Sequence, residues 1–169
     1  MGKSKNRKRI SPRERIERME NRLGLRMDQA ADQLRRKSNG TDQAATTQFI
    51  NRITKLANVI FVESGAKEVP TASDIEYTFL GWNFAVTHAQ LPELDVYDQF
   101  CTSMQKQGYN AEDIESMLGV HYAIREVKRE WYPDDTRFAA EFEVKDAGDS
   151  FDIRVKIAKD AVSYYAAAR

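Results

Sequence analysis

Cysteine is almost absent from this chain: Cys101 is the single thiol in 169 residues. That excludes a disulfide framework, or a cysteine-rich zinc site, within one chain. A solitary cysteine suits a reducing compartment, so a cytoplasmic location is expected. Histidine is scarce too. His88 and His121 lie far apart in sequence and neither has a metal-ligand partner nearby, so no metal and no cofactor is expected. No apolar run approaches the roughly 20 residues that span a bilayer, which argues against a membrane. The charged start is followed by no apolar stretch, so no secretory signal is expected. There is no P-loop, no GxGxxG and no nucleophile elbow. The reading is therefore a non-enzyme with no catalytic residues, and its lead concerns a partner rather than a reaction.

What the chain has is charge, unevenly placed. The net charge is zero, with 31% charged residues. Residues 1–55 hold 15 Lys+Arg against 6 Asp+Glu, a balance of +9, while residues 56–169 hold 11 against 20, a balance of -9. Such a split reads as a basic arm on an acidic body. The arm meets either nucleic acid or the acidic body of a neighbouring copy.

Residues 1–10 carry Lys3, Lys5, Arg7, Lys8 and Arg9 with only a terminal apolar side chain beyond Met1. They cannot pack, and are expected to stay disordered until bound. Ser11-Pro12-Arg13-Glu14 has the pattern of a capped helix start. That helix is expected to run to Lys37 and to end at Ser38-Asn39-Gly40. At about 100° per residue, Arg15, Arg18, Arg22 and Arg26 fall in one narrow sector. Ile16, Met19, Leu23, Met27, Ala30 and Leu34 occupy the neighbouring sector, and Glu17, Glu20, Asp28 and Asp32 mostly the remainder. Arginine forks bind phosphate bidentately without reading base sequence. The nine arm and stripe cations are thus the candidate nucleic-acid-binding residues, for DNA or RNA. A solvated face supported by Glu14–Arg18, or a face docked on acidic protein, are the other readings.

A second helix fits Asp42 to Glu63, with Ala45, Phe49, Ile53, Leu56, Ala57 and Ile60 at helical spacing. With the first it forms an αα-hairpin over 11–65. A linker around Pro70 leads to a capping-box pattern, Ser73-Asp74-Ile75-Glu76. Ile75, Phe79, Trp82 and Val86 then predict a helix that tolerates Gly81. A further helix is expected from Pro92 to Gln107, with Leu94, Tyr97, Cys101 and Met104 inward and Gly108 as its stop. A short one is expected from Asn110 to Gly119. Residues 120–132 read as helix, with a third β-strand as the alternative. Phe138, Ala140, Phe142 and Val144 alternate with polar residues, as do Phe151, Ile153, Val155 and Ile157, so a β-hairpin joined by Ala147-Gly148-Asp149-Ser150 is expected. A short helix closes the chain from Asp160 to Arg169.

Two motifs suggest specific chemistry. Residues 110–131 are similar to a helix-turn-helix: Ile114, Leu118, Gly119 and Val120, then Ile124 and Val127. The resemblance implies a turn at Gly119 and a second helix in the major groove. The helix at 92–107 would precede it and the hairpin would be the wing of a winged helix. A balance of -6 over residues 91–169, 10 basic against 16 acidic, suits the same fold used for protein contact. Pro133-Asp134 with Glu143-Val144-Lys145 spells the outline of a PD-(D/E)xK nuclease site. Those acids must share one metal, yet on a continuous strand they lie about 30 Å apart. Trp82, Phe84, Trp131, Tyr164 and Tyr165 are either base-stacking candidates or core.

The sequence thus predicts a mostly helical α+β protein: a disordered basic arm at 1–10, a helical hairpin at 11–65, and an acidic α+β domain at 66–169, winged-helix-like in one reading. The expected function is non-enzymatic, largely sequence-independent nucleic-acid binding, with the acidic domain forming a homo-oligomer or a partner contact. The alternative is a virion or scaffold component whose basic arm docks on acidic surfaces of neighbouring subunits.

Overall fold

The computed structural model describes residues 42–62 and 69–168. The expected first helix and its half of the αα-hairpin lie outside these residues. The described chain forms α1 (Asp42–Phe61), α2 (Ala72–Gln90), a 3-10 turn (Pro92–Leu94), α3 (Val96–Lys106), α4 (Ala111–Trp131), β1 (Phe138–Asp146), β2 (Phe151–Ala158) and α5 (Ala161–Ala167). It is a mostly helical α+β arrangement in which helices precede one antiparallel hairpin.

The central element is α2. It buries Ile75, Phe79, Trp82 and Val86 as the spacing predicts, and also Thr78, Asn83, Ala85 and Thr87, so it is covered on most sides. α1, α4, β1 and α5 all pack against it. α1 contributes Phe49, Ile50, Ile53, Leu56 and Ala57 to the same core. Phe49 meets Trp82 edge-on at 5.4 Å and Phe79 at 5.9 Å, while Phe79 stacks on Phe142 at 5.0 Å. Ala45, expected inward, is exposed. Ile50 takes the inward place because the apolar stripe turns slightly along the helix.

Gly81 has a packing reason to be in mid-helix. A Cβ there would stand 2.5 Å from Ile124 Cδ1 and 3.1 Å from His121 Nδ1, so glycine sets how closely α2 and α4 cross. The cap of α2 lies two residues before the expected one. Thr71 caps it, receiving the Asp74 N–H at 3.2 Å, and the Asp74 carboxylate receives the Thr71 N–H at 2.7 Å. This capping box leaves Glu76 free to accept from the Val144 N–H at 3.3 Å.

The single helix expected from Pro92 is split. Asp95 adopts a left-handed conformation, φ 42°, between the 3-10 turn and α3, and its side chain caps α3. The break turns Val96, Tyr97 and Phe100 inward, whereas Leu94, Cys101 and Met104 are half-buried. Gly108 stops α3 at φ 91°.

The short helix expected to end at Gly119 does not end there. α4 is continuous from Ala111 to Trp131, so 120–132 is helix and the turn required by the helix-turn-helix likeness is absent. Gly119 is exposed with no atom within 4 Å of an added Cβ. Its cost in a helix, about 1 kcal/mol, is offset by Ile114, His121 and Ile124, which are buried along one side of α4. The winged-helix order is lost with the turn.

The hairpin pairs as expected, with Gly148 in its tip at φ 81°. Ala140 is bulged, however, so Phe138 and Ala139 are both buried before the alternation resumes at Phe142 and Val144. The bulge turns the Ala139 amide toward α2. The Asn83 side chain donates to the Ala139 carbonyl at 2.8 Å and accepts from its N–H at 2.9 Å. Trp82 Nε1 donates to the Arg137 carbonyl at 2.7 Å. A two-stranded sheet is marginal alone; here α2 supplies the partners that a third strand would. α5 starts as expected, with Asp160 accepting from Ser163 N–H, and Tyr164 stacks on Phe138 at 4.5 Å.

Candidate nucleic-acid interface

The nine predicted site cations, Lys3, Lys5, Arg7, Lys8, Arg9, Arg15, Arg18, Arg22 and Arg26, lie outside the described residues. The last two cations of the basic segment, Arg52 and Lys55, are described, and they lead to a cluster the sequence reading did not name. Three positions apart on α1, they share one side of the helix. That side faces the end of α4 and the turn into β1.

There the chain packs a carboxylate between two guanidiniums. Asp135, 4% exposed at its side chain, accepts a hydrogen-bonded ion pair from Arg52. It also receives the Arg137 fork, Nε at 2.8 Å and a terminal nitrogen at 2.5 Å, and the Arg137 backbone N–H at 3.2 Å. Arg137 further donates to the Ala45 carbonyl at 2.9 Å, which ties α1 to the start of β1. Burial acts to raise the Asp135 carboxyl, but the hydrogen bonds and charge of Arg137, and the hydrogen bond of Arg52, hold it below the usual carboxylate range. Lys128, buried on α4, donates to the Tyr132 carbonyl at 3.4 Å and lies 4.7 Å from the Trp82 ring centroid. Burial lowers its ammonium from the ordinary range, with Arg52 acting the same way and Asp135 opposing.

Cations also cover the aromatic rings at this end. Arg52 lies 4.7 Å from the Tyr132 centroid, Lys55 4.9 Å from that of Trp131, and Arg137 5.1 Å from that of Phe49. Arg52, Trp131, Pro133 and Asp134 line an open cleft of about 380 Å³. Its charged lining is two cations, Arg52 and Arg137, and two acids, Asp134 and Asp135, with the Lys55 ammonium over the Trp131 ring as a further cation at its edge. The lining charges balance, and Lys55 adds one positive charge at the edge of the cleft.

Of the five aromatics weighed for stacking, Trp82 is fully buried and Trp131 is 38% exposed. Tyr164 and Tyr165 pack on Phe138, and Phe84 packs on Tyr97 and Phe100. Chemically the cleft offers a π-surface beside mobile and fixed cations. The nuclease outline gains nothing here: Asp134 is at the cleft rim, Glu143 pairs with Lys145 on the strand surface, and β1 pairs on both sides of its bulge. Among the described residues no group of three His, Cys, Asp or Glu side chains stands close enough to hold a metal ion, and no helix is long and apolar enough to cross a membrane.

A second polar site lies on the other side of α2. His121 is fully buried between Tyr77, Phe84 and Phe100, with ring centroids at 4.6, 4.8 and 4.8 Å. Neither ring nitrogen has a hydrogen-bond partner. Burial pushes its pKa down to about 4, so at neutral pH it is an uncharged aromatic plate. Its neighbours are the aromatic rings of Tyr77, Phe84 and Phe100.

No family model, curated protein or solved structure matches the chain. The sequence signal for the cleft was faint but present: Arg52 and Lys55 at helical spacing, and Trp131 among polar residues.

Proposed function

We propose that this chain is a non-enzymatic nucleic-acid-binding protein acting in the cytoplasm. The arm cations Lys3 to Arg9 and the stripe Arg15, Arg18, Arg22 and Arg26 contact phosphates of DNA or RNA without reading sequence. The folded acidic part forms a homo-oligomer or meets a protein partner. The observation that carries this reading is the charge split, +9 over residues 1–55 against -9 over the remainder. Lys55, exposed on α1, supports it, because the basic segment then continues onto the folded surface.

The test is a salt titration of binding. Converting the four stripe arginines to glutamine together keeps helix propensity similar and removes four charges. Each lost phosphate contact lowers the slope of log K against log salt by about 0.9 on duplex or 0.7 on a single strand. The slope should flatten by roughly 3, alike for unrelated sequences. Nucleic acid should also co-purify at low salt. A clean large oligomer that binds no nucleic acid, and that the same four substitutions disperse, would replace this reading with a scaffold or virion component. An unchanged slope with intact binding would remove the stripe from the interface.

A further inference from the structure

We propose that the cleft between Arg52 and Trp131 is a subsite for one nucleotide of an unpaired strand, its base lying on the Trp131 ring and its phosphate held by Lys55 and Arg52. This rests on the nucleic-acid reading above and narrows it to single strands at this point of the surface.

Three features carry the argument. Trp131 keeps 38% of its surface exposed at the end of α4; its ring meets Tyr132 edge-on at 6.3 Å and carries the Lys55 ammonium 4.9 Å from its centroid. Lys55 is exposed on α1, so its flexible stem can swing from ring to phosphate when a base arrives. A base inside a duplex has both faces covered by its neighbours and cannot use such a ring; a splayed base can.

The cations divide by task. Arg137 has its fork on Asp135 and its third nitrogen on the Ala45 carbonyl, so it builds the site. Arg52 is 28% exposed and its ion pair to Asp135 is made through one terminal nitrogen, which leaves its outer edge toward the cleft. Asp134 at the rim opposes the phosphate. An anion alone would not need the ring, and a base alone would not need the cations. Together they fit a nucleotide unit.

The experiment is fluorescence and anisotropy titration of the full chain with short oligothymidylate, the same sequence as duplex, and thymidine monophosphate. Only two tryptophans are present, and Trp82 is fully buried, so quenching reports Trp131. Single strands should quench and duplex should not. Trp131→Leu should abolish quenching and weaken single-strand binding roughly 5- to 100-fold, with duplex binding unchanged. Trp131→Phe should recover most of the affinity. Lys55→Gln should lower the single-strand salt slope by about 0.7, and Asp134→Asn should tighten binding. Thermal melts of each variant should stay close to wild type.

Binding without quenching, or with Trp131→Leu binding normally, would overturn the subsite and leave the proposed function standing. Quenching that persists when the four stripe arginines are glutamine, with an unchanged salt slope, would support the subsite and overturn the role of the stripe. Saturation by thymidine monophosphate as tight as by the strand would overturn the strand in favour of a free nucleotide. No binding of any of the three would overturn both.

Discussion

Two buried polar sites flank α2, and they solve the same problem in opposite ways. Asp135 stays charged because two arginines reach it, one of them from 83 residues away in sequence. His121 has no hydrogen-bond partner and stays uncharged. The first site depends on partners and fails when one is removed. The second depends on the absence of a proton and fails when one is added. A polar residue in a core is thus no single kind of feature; what matters is which protonation state the surroundings were built for.

The largest expected effect separates the two directly. Asp135→Ala leaves Arg52, Arg137 and Lys128 close together without their carboxylate. Breaking a buried pair from one side costs about 3–5 kcal/mol, and partial exposure of both arginines points to the lower end. Urea unfolding should show the free energy of unfolding falling by that amount, read as a lower midpoint at an unchanged slope, with Asp135→Asn intermediate. A loss below 1 kcal/mol would mean that the triad is not structural.

Acid should break the other site, by a comparable amount. The unfolded imidazole takes up its proton near pH 6.5, the folded one only near 4. The stability due to neutral His121 is therefore complete above pH 6.5 and lost progressively as pH falls to 4. At about 1.36 kcal/mol per pH unit this is on the order of 3 kcal/mol. Tyr77, stacked on the ring, is pushed up to about 12 by burial and does not titrate in this window. Asp135, held below the usual carboxylate range, contributes its own loss only at lower pH. His121→Phe should flatten the profile between 6.5 and 4 and be neutral or mildly stabilising at pH 7. A wild-type profile already flat there would contradict the buried neutral state.

Smaller still are two glycine exchanges that press on α4 from opposite sides. Gly81→Ala drives a methyl toward Ile124 and His121 and should cost about 1–2 kcal/mol, since overpacking outweighs the gain in helix propensity. Gly119→Ala faces open solvent on the same helix and should stabilise by about 0.5–1 kcal/mol. Thermal melts that move in the same direction for both would show that the α2–α4 crossing is looser than the structure has it.

The elements were mostly legible in the sequence because each rests on a local period. The hairpin alternates, and α1 and α2 repeat at helical spacing, so their existence follows from neighbours in the chain. Their joints were not legible. Gly119 carries the same stop signal as Gly108, yet only Gly108 adopts positive φ; burial of the flanking residues decides, and burial is not local. Thr71 and Ser73 both sit three residues before an acid, and the sequence does not rank the two caps. Asp95 in a left-handed turn and the bulge at Ala140 are likewise consequences of packing. The cleft was half legible. Trp131 was one of five aromatics read as either base-stacking or core, its meeting with Arg52 and Lys55 depends on a long-range contact, and the nuclease outline drew attention to Asp134 when Asp135 is the buried acid.

The side-chain amide of Asn83 has a consequence for how copies of this protein meet. A two-stranded sheet has two open edges, and an open edge invites an incoming strand. At Ala139 both backbone groups are already taken by Asn83, and at Val144 the N–H is taken by Glu76, so these groups of β1 are not offered to an incoming strand. β2 is guarded differently, by the exposed charges of Arg154 and Lys156. Loss of the Asn83 amide would turn a helix-protected margin into an aggregation-prone one.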